Sequence, residues 1–142
     1  MLGYLLERFG IAPSNFNGYE MLETGKSWWL LRKSSHLERT SGFKVFACGM
    51  KAFQKVGQFI KPTTRLMQLF GREATRAVME ITGEELRSLA KGEGIPCNLQ
   101  VENGYVLLRM YGRYDLGLGL LIGGRVQLQI RKTDLQQISI EP

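Results

Sequence analysis

The sequence predicts an α+β domain in which short helices pack on a small, curved antiparallel sheet. Three observations carry that prediction. Residues 104–131 are β-rich, and after a turn at Gly123-Gly124 residues 125–131 alternate polar and apolar side chains without a fault, the signature of a hairpin with one wet face. Helical spacing is confined to short segments, each opened by a capping residue or closed by glycine. The 142 residues, 44% of them hydrophobic, suit one core and leave no room for two ordinary domains, so residues 1–142 are expected to form one unit.

Each element has its own signal. Leu2, Leu5, Leu6 and Phe9 form an i, i+3, i+4, i+7 stripe that Gly10 can stop, predicting a helix over residues 1–10 that leads into the domain. The run PSNFNG from Pro13 is a turn cluster. Trp28-Trp29-Leu30-Leu31 reads as a mostly buried strand, Ser34 to Gly42 as an exposed loop, and Phe43 to Met50 as a second strand. Residues 49–58 (GMKAFQKVGQ) read as a polar loop. From Phe59 to Gly71 the pattern is helical: Pro62 opens a first turn, Leu66, Leu69 and Phe70 share a face, and Gly71 closes it in the left-handed conformation. Ala77, Met79 and Ile81 alternate as a strand. Thr82-Gly83-Glu84-Glu85 is a capping box, so the next helix starts there, buries Leu86, Leu89 and Ala90, and stops at Gly92. Val106, Leu108 and Met110 then face away from Tyr105, Arg109 and Tyr111, and Val126, Leu128 and Ile130 face away from Arg125, Gln127, Gln129 and Arg131.

Several functions are disfavoured on chemical grounds. The longest apolar runs are about four residues, against the roughly 18 of a membrane helix, and Glu7 and Arg8 interrupt the place of a signal peptide. A soluble, cytoplasmic protein without a membrane partner is expected. Cys48 and Cys97 have no CxxC spacing and read as reduced structural thiols. Gly117-Leu118-Gly119 continues to Gly123 as GxGxxxG and runs into a strand, so no helix N-terminus faces a phosphate. His36, the single histidine, sits in a polar loop, and one His with two distant Cys supplies neither a triad nor a metal ligand set. Pro96-Cys97 matches the nucleophile dipeptide of RNA cytosine-5 methyltransferases. The chain lacks the parallel sheet and glycine-rich loop of an S-adenosylmethionine site, so Cys97 reads as structural. No catalytic, cofactor or metal residue is assigned, and an enzyme is not expected.

What remains is charge. The formal net charge of +6 divides into −1 over residues 1–30, +8 over residues 31–76 and −1 over residues 77–142. Such segregation predicts a cationic surface for an anionic partner, the alternative being a solvated basic stretch. Lys44, Lys51, Lys55, Lys61, Arg65 and Arg72 lie in the basic segment among Phe43, Phe46, Phe53 and Phe59. Arg113, Arg125, Arg131 and Lys132 add cations near the hairpin ends. Cations neutralise phosphates and an exposed ring stacks on an unpaired base. Most of these rings read as core. Phe53, in its polar stretch, is the one expected to be free.

The order of features also resembles a known family. Arg8-Phe9-Gly10-Ile11 followed by a GYE turn, then Trp29-Leu30-Leu31 and Lys61-Pro62 before a short helix, form its first half. Lys91-Gly92-Glu93, Gly104-Tyr105-Val106 and Leu116-Gly117-Leu118-Gly119 before a basic hairpin complete it. Over roughly residues 8–133 this resembles the PUA-like RNA-binding domain at the C-terminus of Sun-type 5-methylcytosine RNA methyltransferases and in related stand-alone proteins. The resemblance implies a small antiparallel β pseudo-barrel that binds structured tRNA or rRNA. In it Lys61, Gly92, Glu93, Gly117 and Gly119 are family positions. These residues hold no methyltransferase domain, so the implied role is accessory to RNA modification or ribosome biogenesis, with any modifying enzyme acting in trans. The competing reading is a protein-interaction module that docks a partner through the sheet face or the Trp28-Trp29 strand.

Overall fold

The computed structural model describes residues 1–35 and 49–136. Helix α1, Leu2–Phe9, ends where expected: Gly10 adopts φ 68°, its N–H donates to the Leu6 carbonyl and the Ile11 N–H donates to that of Leu5. Leu5 and Phe9 are fully buried by its inner stripe. A 3-10 turn over Pro13–Phe16 follows, with Phe16 packed on Phe70 at 4.5 Å between ring centroids.

The first sheet is antiparallel throughout, in the order β1 (Tyr19–Thr24), β2 (Ser27–Arg32), β3 (Met50–Val56) and β4 (Phe59–Pro62). Strand β1 was not legible in the sequence. It has no buried residue, so it lacks the apolar alternation that marks a strand. The predicted strand over Phe43 to Met50 lies outside the described residues except at Gly49, a bend at φ 78°, and at Met50. The expected polar loop over 49–58 is instead β3 and its turn into β4. Gly57 at φ 61° makes that turn and sets Val56 opposite Phe59. The helix predicted from Phe59 is correspondingly shorter. Pro62 ends β4, Thr63 caps α2 (Thr64–Phe70) by accepting from the Leu66 N–H, and Gly71 has φ −61° rather than a left-handed geometry. The chain therefore continues into a 3-10 turn over Gly71–Glu73 instead of stopping there.

The second sheet runs β5 (Val78–Glu80), β7 (Gly104–Met110), β8 (Tyr114–Ile122), β9 (Arg125–Leu128) and β6 (Ile95–Pro96). Strand β5 pairs with β7 in parallel and the remaining pairs are antiparallel. The molecule thus has two antiparallel-rich sheets rather than the one anticipated. Between β5 and β6 lies α3, Gly83–Ala90, with both reciprocal bonds of its capping box formed: Thr82 Oγ1 accepts from Glu85 N and Glu85 Oε2 accepts from Thr82 N. Leu89 is buried and Leu86 half-buried, but Ala90 is exposed, one residue past the stripe that faces the sheet. Gly123 and Gly124, at φ 60° and 78°, form the predicted hairpin turn. A last short helix, α4, covers Lys132–Leu135.

One cluster of buried side chains draws on both sheets and on α1, α2 and α3, from Leu5 and Phe9 through Phe53 and Leu66 to Leu89, Leu108 and Val126. The glycines of β8 serve this packing. A Cβ on Gly119 would overlap Val126 Cγ1, and one on Gly117 would come within 2.8 Å of Ile130 Cγ1 and 3.0 Å of Thr64 Cγ2. Both positions are architectural, because neighbouring elements occupy the space a side chain needs. Among the described residues no helix is long and apolar enough to cross a membrane, and no group of His, Cys, Asp or Glu could hold a metal ion. Cys97 is a half-buried free thiol; His36 and Cys48 lie outside the described residues.

Candidate nucleic-acid interface

The structure divides the predicted cations into those that are spent and those that are free. Lys61 is largely spent. Its Nζ donates to the Gln129 carbonyl at 3.2 Å and lies 5.9 Å from the Tyr105 ring centroid, so it ties β4 to the second sheet. Burial lowers its pKa below the usual lysine value. Lys51 is half-buried, with Nζ 5.5 Å from the Trp29 ring. Trp29 and its neighbour Trp28 are both half-buried, so neither stands out as the anchor an interaction strand would present. Arg125 is exposed but donates to the Gly94 carbonyl, and exposed Arg131 pairs with Asp134 at 3.0 Å. Lys55, Arg65 and Lys132 are exposed. Lys44 lies outside the described residues.

Phe53 requires a correction. It is fully buried in β3, on the sheet face that joins the core, and cannot stack on a base. Of the described phenylalanines in the basic segment, Phe59 carries a free ring, 73% exposed; Phe43 and Phe46 lie outside the described residues. The turn at Gly57-Gln58 decides this. It sets β4 in a register where Phe53 pairs with Pro62 inside while Val56 and Phe59 pair outside. A period-2 reading of residues 50–56 sets Phe53 on the face of Lys51 and Lys55 and so misses it: Ala52 and Phe53 are adjacent and both buried, where the pairing with β2 shifts register between Trp28 and Trp29.

Arg72 and Arg113, 41 positions apart in sequence, line the same open cleft of about 620 Å³, with Gln68 and Tyr114. Arg72 is highly exposed and its one ion pair, to Glu73 at 3.6 Å, is a surface contact. Arg113 lies 4.7 Å from the Tyr114 ring centroid, and Tyr114 meets Tyr111 edge to face at 6.2 Å. Both tyrosines are exposed, at 44% and 59%. They sit on the β7–β8 turn, where Tyr111 takes φ 54°, an uncommon conformation for a residue with a side chain. The sequence pattern places Tyr111 on a strand face and gives Tyr114 no role.

Beneath this tip lies a half-hidden ion pair. Arg109 Nε donates to Asp115 Oδ1 at 2.6 Å and its Nη2 donates to the Gly71 carbonyl at 2.9 Å. Both side chains are shielded, at 16% and 6% exposure. Gln68 Nε2 donates to the Leu116 carbonyl at 3.2 Å. These bonds clamp the β7–β8 hairpin to the C-terminal end of α2, the end that carries Arg72. The clamp therefore fixes the two cationic elements relative to each other.

A second, larger cleft of about 1090 Å³ opens between α1, the β3–β4 turn and the end of the second sheet. Tyr105 and Leu120, cross-strand partners, line it together with Phe59, Arg8 and Arg76. Arg8 Nε donates to the Tyr105 carbonyl at 2.7 Å. Burial pushes the Tyr4 hydroxyl up to about 12 and raises that of Tyr105 as well. No protein-family model matches this chain, and no curated protein matches its sequence.

Proposed function

We propose that this chain is an RNA-binding module of PUA-like architecture that holds structured transfer or ribosomal RNA for modification or ribosome assembly, without chemistry of its own. The observation that most supports the reading is the meeting of Arg72 and Arg113 on one cleft beside two exposed tyrosines. Two guanidiniums with only surface partners supply phosphate contacts, and tyrosine faces supply stacking that tolerates any base. The basic surplus of residues 31–76 adds a long-range attraction for a polyanion.

The experiment is a salt titration of binding to a structured RNA with an unpaired loop. Arg72→Glu with Arg113→Glu should weaken binding at low salt at least tenfold. The slope of log K against log salt should fall by roughly two, about one for each phosphate that is no longer neutralised. Unchanged affinity and slope in a folded double variant would remove this surface from the reading. An assembly module is the second reading, favoured by the exposed apolar side chains of Val56, Phe59 and Ile122. A defined oligomer free of nucleic acid after purification would support it over RNA binding.

A further inference from the structure

We infer that the larger cleft, under α1, takes one unpaired nucleotide, with its base against Phe59 and Tyr105 and its phosphate at Arg8 and Arg76. The inference rests on the RNA-binding reading and assigns it a second, separate site. Its floor is a sheet face that runs out of cover. Gly71, just past α2, packs on Leu107, and Gln68 bonds to Leu116, but two residues along β7 Tyr105 opens into the cleft with its partner Leu120. A volume of about 1090 Å³ lies just above the roughly 300–1,000 Å³ of small-ligand sites.

The donors are set for an anion. Arg8 Nη2 is buried and has no hydrogen-bond partner among the described residues. A guanidinium cannot shed its proton, so this N–H still calls for an acceptor that the described residues do not supply. Gly104, at φ 142°, leaves the guanidinium its place: a Cβ there would sit 3.3 Å from Arg8 Cζ. Arg76 comes to the same end of α1, because its backbone N–H donates to the Phe9 carbonyl at 3.1 Å and its Cγ lies beside Gly10. Arg76 is exposed and forms no ion pair among the described residues. Glu7 and Glu102 also border the cleft, which confines the phosphate to the Arg8–Arg76 side. Gln58 and Gln100 offer amide donors and acceptors for a base edge, and the largely exposed Phe59 ring offers a stacking face at the rim.

The test is an NMR titration of the whole chain with adenosine 5′-monophosphate, adenosine and inorganic phosphate, run beside RNA binding on the same samples. Adenosine monophosphate should shift the amide resonances of Tyr105, Leu120 and Ile122. Phe59→Ala, a surface change that leaves the core intact, should weaken it at least fivefold, and Arg76→Ala should remove its advantage over adenosine. Phosphate alone should move only resonances around Arg8 and Arg76. If RNA binds through Arg72 and Arg113 while every cleft resonance stays still, the nucleotide site is overturned and the RNA-binding reading stands. If wild-type protein binds no RNA at all, both fall. Self-association through Phe59, seen as line broadening that Phe59→Ala relieves without nucleotide, would overturn the cleft assignment in favour of a second copy.

Discussion

Replacing Asp115 by Asn tests how the interface is held together. Asp115 and Arg109 are shielded at 6% and 16% exposure, 2.6 Å apart, and Arg109 spends a second N–H on the Gly71 carbonyl. The substitution leaves a neutral amide of the same shape beside a guanidinium that cannot be neutralised. Breaking a shielded pair from one side costs about 3–5 kcal/mol, because the remaining charge stays desolvated. The retained Gly71 bond and the residual exposure of Arg109 favour the lower figure, about 3 kcal/mol. With a urea m-value of about 2 kcal/mol/M, the unfolding midpoint should drop by about 1.5 M. Urea unfolding followed by the fluorescence of half-buried Trp28 and Trp29 reads this directly. Arg109→Leu combined with Asp115→Leu should recover much of the stability, since replacing both members of a buried pair by apolar groups is often neutral. RNA affinity should fall in the single variant even where it is fully folded, because the clamp sets Arg113 against Arg72. A destabilisation under about 1 kcal/mol, or a double variant as unstable as the single, would refute the clamp.

Three further outcomes follow from the packing. Phe53→Ala should lower stability by about 3–5 kcal/mol while leaving the RNA affinity of the folded fraction unchanged; a stable variant with weakened binding would return Phe53 to the interface. Gly119→Ala should cost about 1–3 kcal/mol by forcing a methyl against Val126, and Val126→Ala in the same chain should relieve part of it, as thermal unfolding of the three variants would show. Tyr4→Phe should flatten the alkaline limb of stability. The fold raises the Tyr4 pKa from 10.0 to about 12, so its contribution is fully present below pH 10 and is lost as pH rises through about 12. Two units correspond to about 2.7 kcal/mol, which partial exposure of the ring reduces to about 1–2 kcal/mol. The lowered Lys61 pKa acts with opposite sign, stability rising as pH climbs toward 10.5. Comparing urea unfolding of wild type and Tyr4→Phe at matched pH cancels that term, and identical alkaline limbs would count against the Tyr4 account.

Local rules hold at three places in this chain where the signal and its cause are close in sequence, and fail at Gly71, which has φ −61° instead of a left-handed stop. The Leu2–Phe9 stripe with its Gly10 stop, the Thr82–Glu85 capping box and the Gly123-Gly124 turn each concern bonds formed within a few residues. Strand β1 escapes because an edge strand without a buried face leaves no apolar alternation to detect. The glycines of β8 read as architectural rather than phosphate-binding, and their contacts with Val126, Ile130 and Thr64 agree with an architectural role.

What the sequence alone determined is the α+β class, the hairpin of the second half and the concentration of positive charge in residues 31–76, all properties of composition and short-range pattern. What only the tertiary structure decided is which of those charges and rings are available. Lys61 is drawn into a bridge to Gln129 and Phe53 into the core, while Phe59 is turned outward by a register that a single glycine turn fixes. Arg72 and Arg113 meet across 41 residues because Arg109 and Asp115 clamp one hairpin to one helix end. Burial and long-range pairing depend on where distant segments settle, and no window of sequence contains both partners.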